Sequence, residues 1–94
     1  MARAVWAGAV LAESEDTIVV DGYTYFPLDA VRWQFLKESE HQSVCGWKGV
    51  AKYWDIEVEG QRNQSAVWSY SDPKPAAKHV TGRVGFWRGV VIER

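Results

Sequence analysis

Among its 94 residues the chain has one cysteine, Cys45, and three prolines. A lone thiol rules out an internal disulfide and any zinc site built from several cysteines. It also denies the "CGWK" stretch at 45–48 a resolving partner for dithiol exchange. No apolar run reaches the roughly 18 residues a membrane helix needs, and no basic start leads into an apolar export segment. The cytosol is therefore the expected compartment, where Asn63-Gln64-Ser65 has no glycosylation meaning. A charge surplus is missing too. Eleven basic and twelve acidic side chains leave a net charge of −1, which argues against a dedicated nucleic-acid binder, since phosphate contacts require a basic excess. The charge is uneven along the chain: residues 1–44 carry three basic and seven acidic groups, residues 45–94 eight and five. A local positive patch drawn from Lys48, Lys52, Arg62, Lys74, Lys78, Arg83 and Arg88 is one consequence; an ordinary solvated surface is the other.

Aromatic residues are abundant: six Trp, four Tyr and three Phe make up 14% of the chain. Aromatics bury large areas, so a small single domain spanning 1–94 can build its core from few of them, and any surplus is free to line a cleft. The order of residues predicts a mainly β (α+β) domain. Ala4 to about Ala12 reads as a first strand and "TIVV" as a second, with "ESED" a polar turn between them. Asp21-Gly22 is a hairpin signal, and in the returning "YTYFP" alternation puts Tyr23 and Tyr25 on one face and Thr24 and Phe26 on the other. Pro27 ends this strand. Leu28, Val31, Phe35 and Leu36 then fall at helical spacing and predict one short helix near 28–38.

Beyond Ser43 the period returns to two. Trp54, Ile56 and Val58 face one way, Tyr53, Asp55 and Glu57 the other; across a polar loop at Gly60, Gln64, Ala66, Trp68 and Tyr70 share a face. Two prolines keep "SDPKP" a loop. "HVTGRVGFWRGVVIER" supplies one or two closing strands, broken at Gly82 or Gly89, with an exposed edge suited to pairing in a homodimer.

Candidate chemistry centres on "SVCGWKGVAKYW". A neighbouring cation turns a thiol into a nucleophile. Lys48 meets Cys45 only if the glycines bend the chain, because residues three apart on an extended strand diverge; otherwise Cys45 is a small buried hydrophobe. His41, Cys45 and His79 have no metal-ligand spacing, and neither a metal nor a cofactor is expected. His41 reads as a loop or helix-end residue and His79 as a strand-edge one. A phosphate cradle at Lys48 lacks the glycine spacing and the helix start it needs. Tyr25, Tyr53, Trp68 and Tyr70 are the stronger signal, since their strand faces suit a common cleft that stacks a planar ligand or holds a cation.

The ordered series "YFPLD", "SEHQSVCGWKGVAKYW", "AVWSY" before "DP", and "GRVGFW" resembles the bacterial family called domain of unknown function 427, which some listings label a nucleotidyltransferase domain. The resemblance runs from Val5 to about Val91. The family pattern falls on Tyr25, Phe26, Pro27, Asp29, His41, Cys45, Lys48, Gly49, Tyr53, Trp54, Trp68 and Tyr70, with Gly46 in place of the usual proline. It implies a small antiparallel β fold, tent-like or barrel-like, some relatives of which hold zinc, for which this chain lacks the cysteines, or bind ligands in aromatic pockets. The nucleotidyltransferase label implies metal-binding carboxylates near a phosphate, and no carboxylate pair stands out here. The leading expectation is a small molecule with an anionic or planar group, bound by Tyr25, Asp29, Cys45, Lys48, Tyr53, Trp68 and Tyr70. Two others stay open: an enzyme using Cys45 with Lys48 or His41, and an interaction module anchored by Trp87 or Trp33, without chemistry.

Overall fold

The computed structural model describes residues 1–46, 49–70 and 74–94. Among the described residues nine strands form two antiparallel sheets: β1 (Ala2–Trp6), β2 (Ala9–Ser14), β3 (Ile18–Val20), β4 (Tyr23–Pro27), β5 (Leu36–Cys45), β6 (Gly49–Val58), β7 (Gln61–Ser69), β8 (Arg83–Phe86) and β9 (Val91–Glu93). The small sheet runs β2-β1-β9 and the large one β3-β4-β8-β7-β6-β5. Short X-Gly turns at Ala7-Gly8, Asp21-Gly22 and Glu59-Gly60 close the hairpins β1-β2, β3-β4 and β6-β7. At Asp21-Gly22 both φ values are positive, 54° and 81°, which matches the right-handed twist of the strands it joins. Ala7-Gly8 has the same geometry, 51° and 78°, and splits the expected Ala4–Ala12 strand into β1 and β2. Alanine is a poor marker for a left-handed position, which is why the sequence pattern reads straight through it.

The helix expected over 28–38 is absent. Leu28–Ala30 and Trp33–Phe35 are single 3-10 turns, and β5 begins at Leu36. Of the apolar residues spaced for a helix, Val31 is buried, Phe35 and Leu36 are half-buried and Leu28 is exposed. Val31 bridges to Ala12 of β2, Leu36 pairs with Ile56 of β6, and both pack with Phe35 against the inter-sheet core. An isolated helix of about 11 residues is marginal in water, whereas the same residues paired on β6 gain a ladder and a buried face. Among the described residues there is no α-helix, and none of the 3-10 turns is long and apolar enough to cross a membrane.

Period-two alternation divides the apolar residues between the faces of the large sheet. Phe26, Ile56, Val58, Val67, Val84 and Phe86 meet Ala2, Ala4, Leu11 and Ala12 of the small sheet. Phe26 and Phe86 pack edge to face with centroids 5.6 Å apart, and burying a side chain such as Phe26 contributes about 1.5–3 kcal/mol. The opposite face carries Tyr25, Ala51, Tyr53, Trp68 and Tyr70, partly covered by Ala77 and Val80 from the 3-10 segment Pro75–Val80. One expected face-sharing fails. Ala66 packs in the inter-sheet core while Trp68 and Tyr70 lie on the other side, because β7 bulges at Ser65, φ 53°.

Several cations of the second half are paired: Lys52 with Glu38 at 2.7 Å, Arg83 with Asp16 at 2.9 Å, and Arg62 with Glu57 at 2.6 Å. The hydrogen bond from Arg62, assisted by Lys37, holds the Glu57 carboxyl below its ordinary range. Because the folded-state value is depressed, the stabilisation is present above the unfolded-state pKa and is lost as pH falls through the folded one. Glu57→Gln is therefore expected to be less stable than the parent near neutral pH, with the difference closing in acid. Denaturant titrations at the two pH values read this out directly.

Candidate functional site

Two bulges shape the large sheet where the aromatic residues gather. Between the pairs Glu38↔Trp54 and Gln42↔Lys52, β5 places three residues, 39–41, opposite one residue of β6. Between Trp54↔Val67 and Ile56↔Asn63, β7 places three, 64–66, opposite one. Each bulge adds two residues, so the strands regain their alternation beyond it. Hydrogen bonds fasten the β7 bulge: the Ser65 N–H donates to Asp55 Oδ1 at 2.8 Å, Trp87 Nε1 donates to the Ser65 carbonyl at 2.7 Å, and the Ser39 and Ser65 hydroxyls lie 3.0 Å apart.

On the sheet face turned away from the small sheet, Tyr23, Tyr53, Trp68, Tyr70 and Trp87 line an open depression of about 140 Å³. Their rings stand at steep angles to one another. Tyr23 meets Trp68 edge-on with centroids 4.9 Å apart at 88°, and Trp68 meets Trp87 at 5.6 Å and 72°. Trp68 is fixed from below and from the side. Its Nε1 donates to the hydroxyl of Tyr25, 3.1 Å away in the interior, and its six-membered ring lies over Gly85 of β8. Tyr53 is set by a 2.9 Å hydrogen bond between its hydroxyl and that of Ser43.

A second, polar depression of about 330 Å³ lies between the bulges. From β5 it is lined by Glu38, Ser39, Glu40 and His41; Asp55 of β6 and Gln64 and Ser65 of β7 complete it. The two depressions share walls. The His41 ring packs against Tyr53 with centroids 4.5 Å apart, and Trp87 of the aromatic depression bonds Ser65 of the polar one. Tyr53 and Asp55 are two residues apart on β6, about 7 Å along the strand, and serve one depression each.

Of the residues singled out from sequence, Tyr53, Trp68 and Tyr70 come together. Tyr25 is fully buried and supports Trp68 instead of lining the depression. Asp29 is exposed on the Leu28–Ala30 turn and lines neither depression. His41 sits in a strand bulge, not in a loop or at a helix end, and His79 is exposed in the 3-10 segment, not on a strand edge. Lys48 lies outside the described residues. The backbone of Cys45 ends β5, opposite Gly49. Among the described residues no cluster of His, Cys, Asp or Glu suits a metal. Trp33 is exposed and packs on Trp54, while Trp87 is half-buried. Sequence reasoning missed Tyr23 as a wall residue although alternation had placed it beside Tyr25. Trp87 and the polar depression had no local signal, since bulge positions follow from strand pairing.

These features define a mainly β domain whose larger sheet carries a buried aromatic cluster opening into a depression beside a polar one. The chain belongs to the family of domain of unknown function DUF427, labelled NTP_transf_9, whose model matches residues 1–93. No curated protein matches it.

Proposed function

We propose that this protein is a small-molecule binding domain whose ligand seats in the aromatic depression. The observation that carries the reading is the convergence of Tyr23, Tyr53, Trp68, Tyr70 and Trp87 from separate strands and a turn onto one concavity. Concave sites lined by aromatic groups with a few convergent polar tips are the usual form of a ligand pocket. Here the tyrosine hydroxyls and the adjoining Ser, Gln and carboxylate groups supply those tips. Lys48 is the candidate partner for an anionic portion of the ligand and Cys45 for its floor; the edge strand β9 is the candidate surface for pairing with a second copy.

The test follows the indole N–H resonances during titration with adenosine, a planar neutral probe, and adenosine monophosphate, a planar anion. Signals of Trp68 and Trp87 are expected to move while those of Trp6 and Trp33 stay. If neither adenosine compound, nor a wider set of planar and charged small molecules, moves Trp68 or Trp87, the proposal fails.

A further inference from the structure

We infer that the group the aromatic depression takes up is an organic ammonium cation, its methyl or methylene groups against the rings. This inference rests on the small-molecule reading above and specifies the chemistry of the ligand. The electron-rich face of an aromatic ring attracts a cation, and several rings set at angles surround a tetrahedral ammonium better than they sandwich a flat molecule. Tyr23, Trp68 and Trp87 stand at such angles, 88° and 72° between successive pairs. One ring of the set already holds a cation: the Arg88 guanidinium lies 4.7 Å from the centre of Trp87.

Charge points the same way. Among the described residues, the two depressions are lined by the carboxylates Glu38, Glu40 and Asp55 and by no lysine or arginine; the Arg88 cation beside them is already engaged, on the Trp87 ring and by donating to the Gln64 carbonyl at 3.2 Å. Lys52 pairs with Glu38, and the Arg62 guanidinium acts on Asp55 as well as on Glu57; Glu40 and Asp55 face the depression that begins where Tyr53 meets His41. An ammonium group among the rings is therefore favoured by the carboxylates of the adjoining depression, Asp55 standing two residues from Tyr53 on β6, while a phosphate in the same place is opposed by them. The polar depression then receives hydroxyl or amide groups carried by the same ligand.

The experiment compares choline with 3,3-dimethylbutanol, which has the same shape but a carbon in place of the charged nitrogen. Both are titrated into the intact protein with the Trp68 and Trp87 indole resonances as readout. Choline is expected to bind at least about tenfold more tightly than the neutral isostere. Glu40→Gln and Asp55→Asn keep side-chain shape, and the amide introduced by the second substitution retains an acceptor for the Ser65 N–H; each is expected to weaken choline several-fold and leave the isostere unchanged. Equal affinity for the two compounds overturns the inference, as does insensitivity of choline to both substitutions. Response to adenosine or its monophosphate without response to choline also overturns it and leaves small-molecule binding standing. Silence towards every probe removes both.

Discussion

Replacement of Trp68 by alanine is expected to lower the unfolding free energy by about 3–5 kcal/mol, the range for truncating a large buried aromatic residue. Trp68 is 6% exposed and contacts Tyr23, Tyr25 and Trp87. Its removal leaves a void at the centre of the aromatic face and takes away the hydrogen bond from Nε1 to the Tyr25 hydroxyl. A domain of this size has only about 5–15 kcal/mol in total, so the variant is expected to unfold at much lower denaturant concentration. Trp68→Phe separates the contributions: it keeps a ring in the cluster but loses the indole N–H, with an expected cost nearer 1 kcal/mol from the hydrogen bond plus that of the missing ring volume. Equilibrium urea titrations of the two variants measure both. An alanine variant within about 1 kcal/mol of the parent would mean that the outer face contributes little to stability and that the core lies almost wholly between the sheets.

Gly85→Ala is expected to cost about 1–3 kcal/mol by overpacking, the second largest single-site effect. Gly85 pairs with Tyr25 on one side and Trp68 on the other in the middle of the large sheet. A Cβ there would sit 2.6 Å from Trp68 Cζ2 and 2.8 Å from Cε2. The indole covers the strand where glycine has no side chain, so glycine and tryptophan form one unit. Because the ring is held by Tyr25 and by neighbouring rings, it cannot swing aside without opening the cluster. The penalty should fall in a Trp68→Leu background, and a double-mutant cycle over Gly85→Ala and Trp68→Leu is expected to show strong coupling. Additive effects would show that alanine is accommodated by the backbone alone. The aromatic depression should also change shape in Gly85→Ala, so binding of any ligand that perturbs Trp68 is expected to weaken.

The helix region shows where local pattern misleads. Leu28, Val31 and Phe35 recur as a helix requires, yet spacings of three and four also suit residues emerging from successive 3-10 turns, as here. Nothing local announces that Leu36 to Cys45 will pair with β6, because the benefit of that pairing lies in residues 49–56. The charged and polar run Lys37 to Ser43 fits the result: an edge strand that carries charge resists pairing with other chains.

The aromatic wall was partly legible for the opposite reason. Tyr53 lies on a strand with clean alternation, and Trp68 and Tyr70 lie beyond the bulge of β7, where alternation holds again, so their faces could be deduced. Whether those faces coincide depends on register. Tyr53 and Trp68 are paired across β6 and β7, and only that pairing, beyond a bulge that adds two residues, brings them side by side.

By itself the amino-acid sequence determined that this is a β-rich chain with a hairpin at Asp21-Gly22, a strand ending at Pro27, aromatic residues in excess and no multi-thiol chemistry. These are consequences of single residues and of period-two alternation, which act within a few positions. Tertiary structure decided the rest. It buried Tyr25 as a support, brought Tyr23 and Trp87 into the wall, placed a glycine under Trp68, and opened a polar depression between two bulges. Each of these depends on which strands are neighbours and in what register, and long-range pairing is set by the sum of all the contacts of the fold.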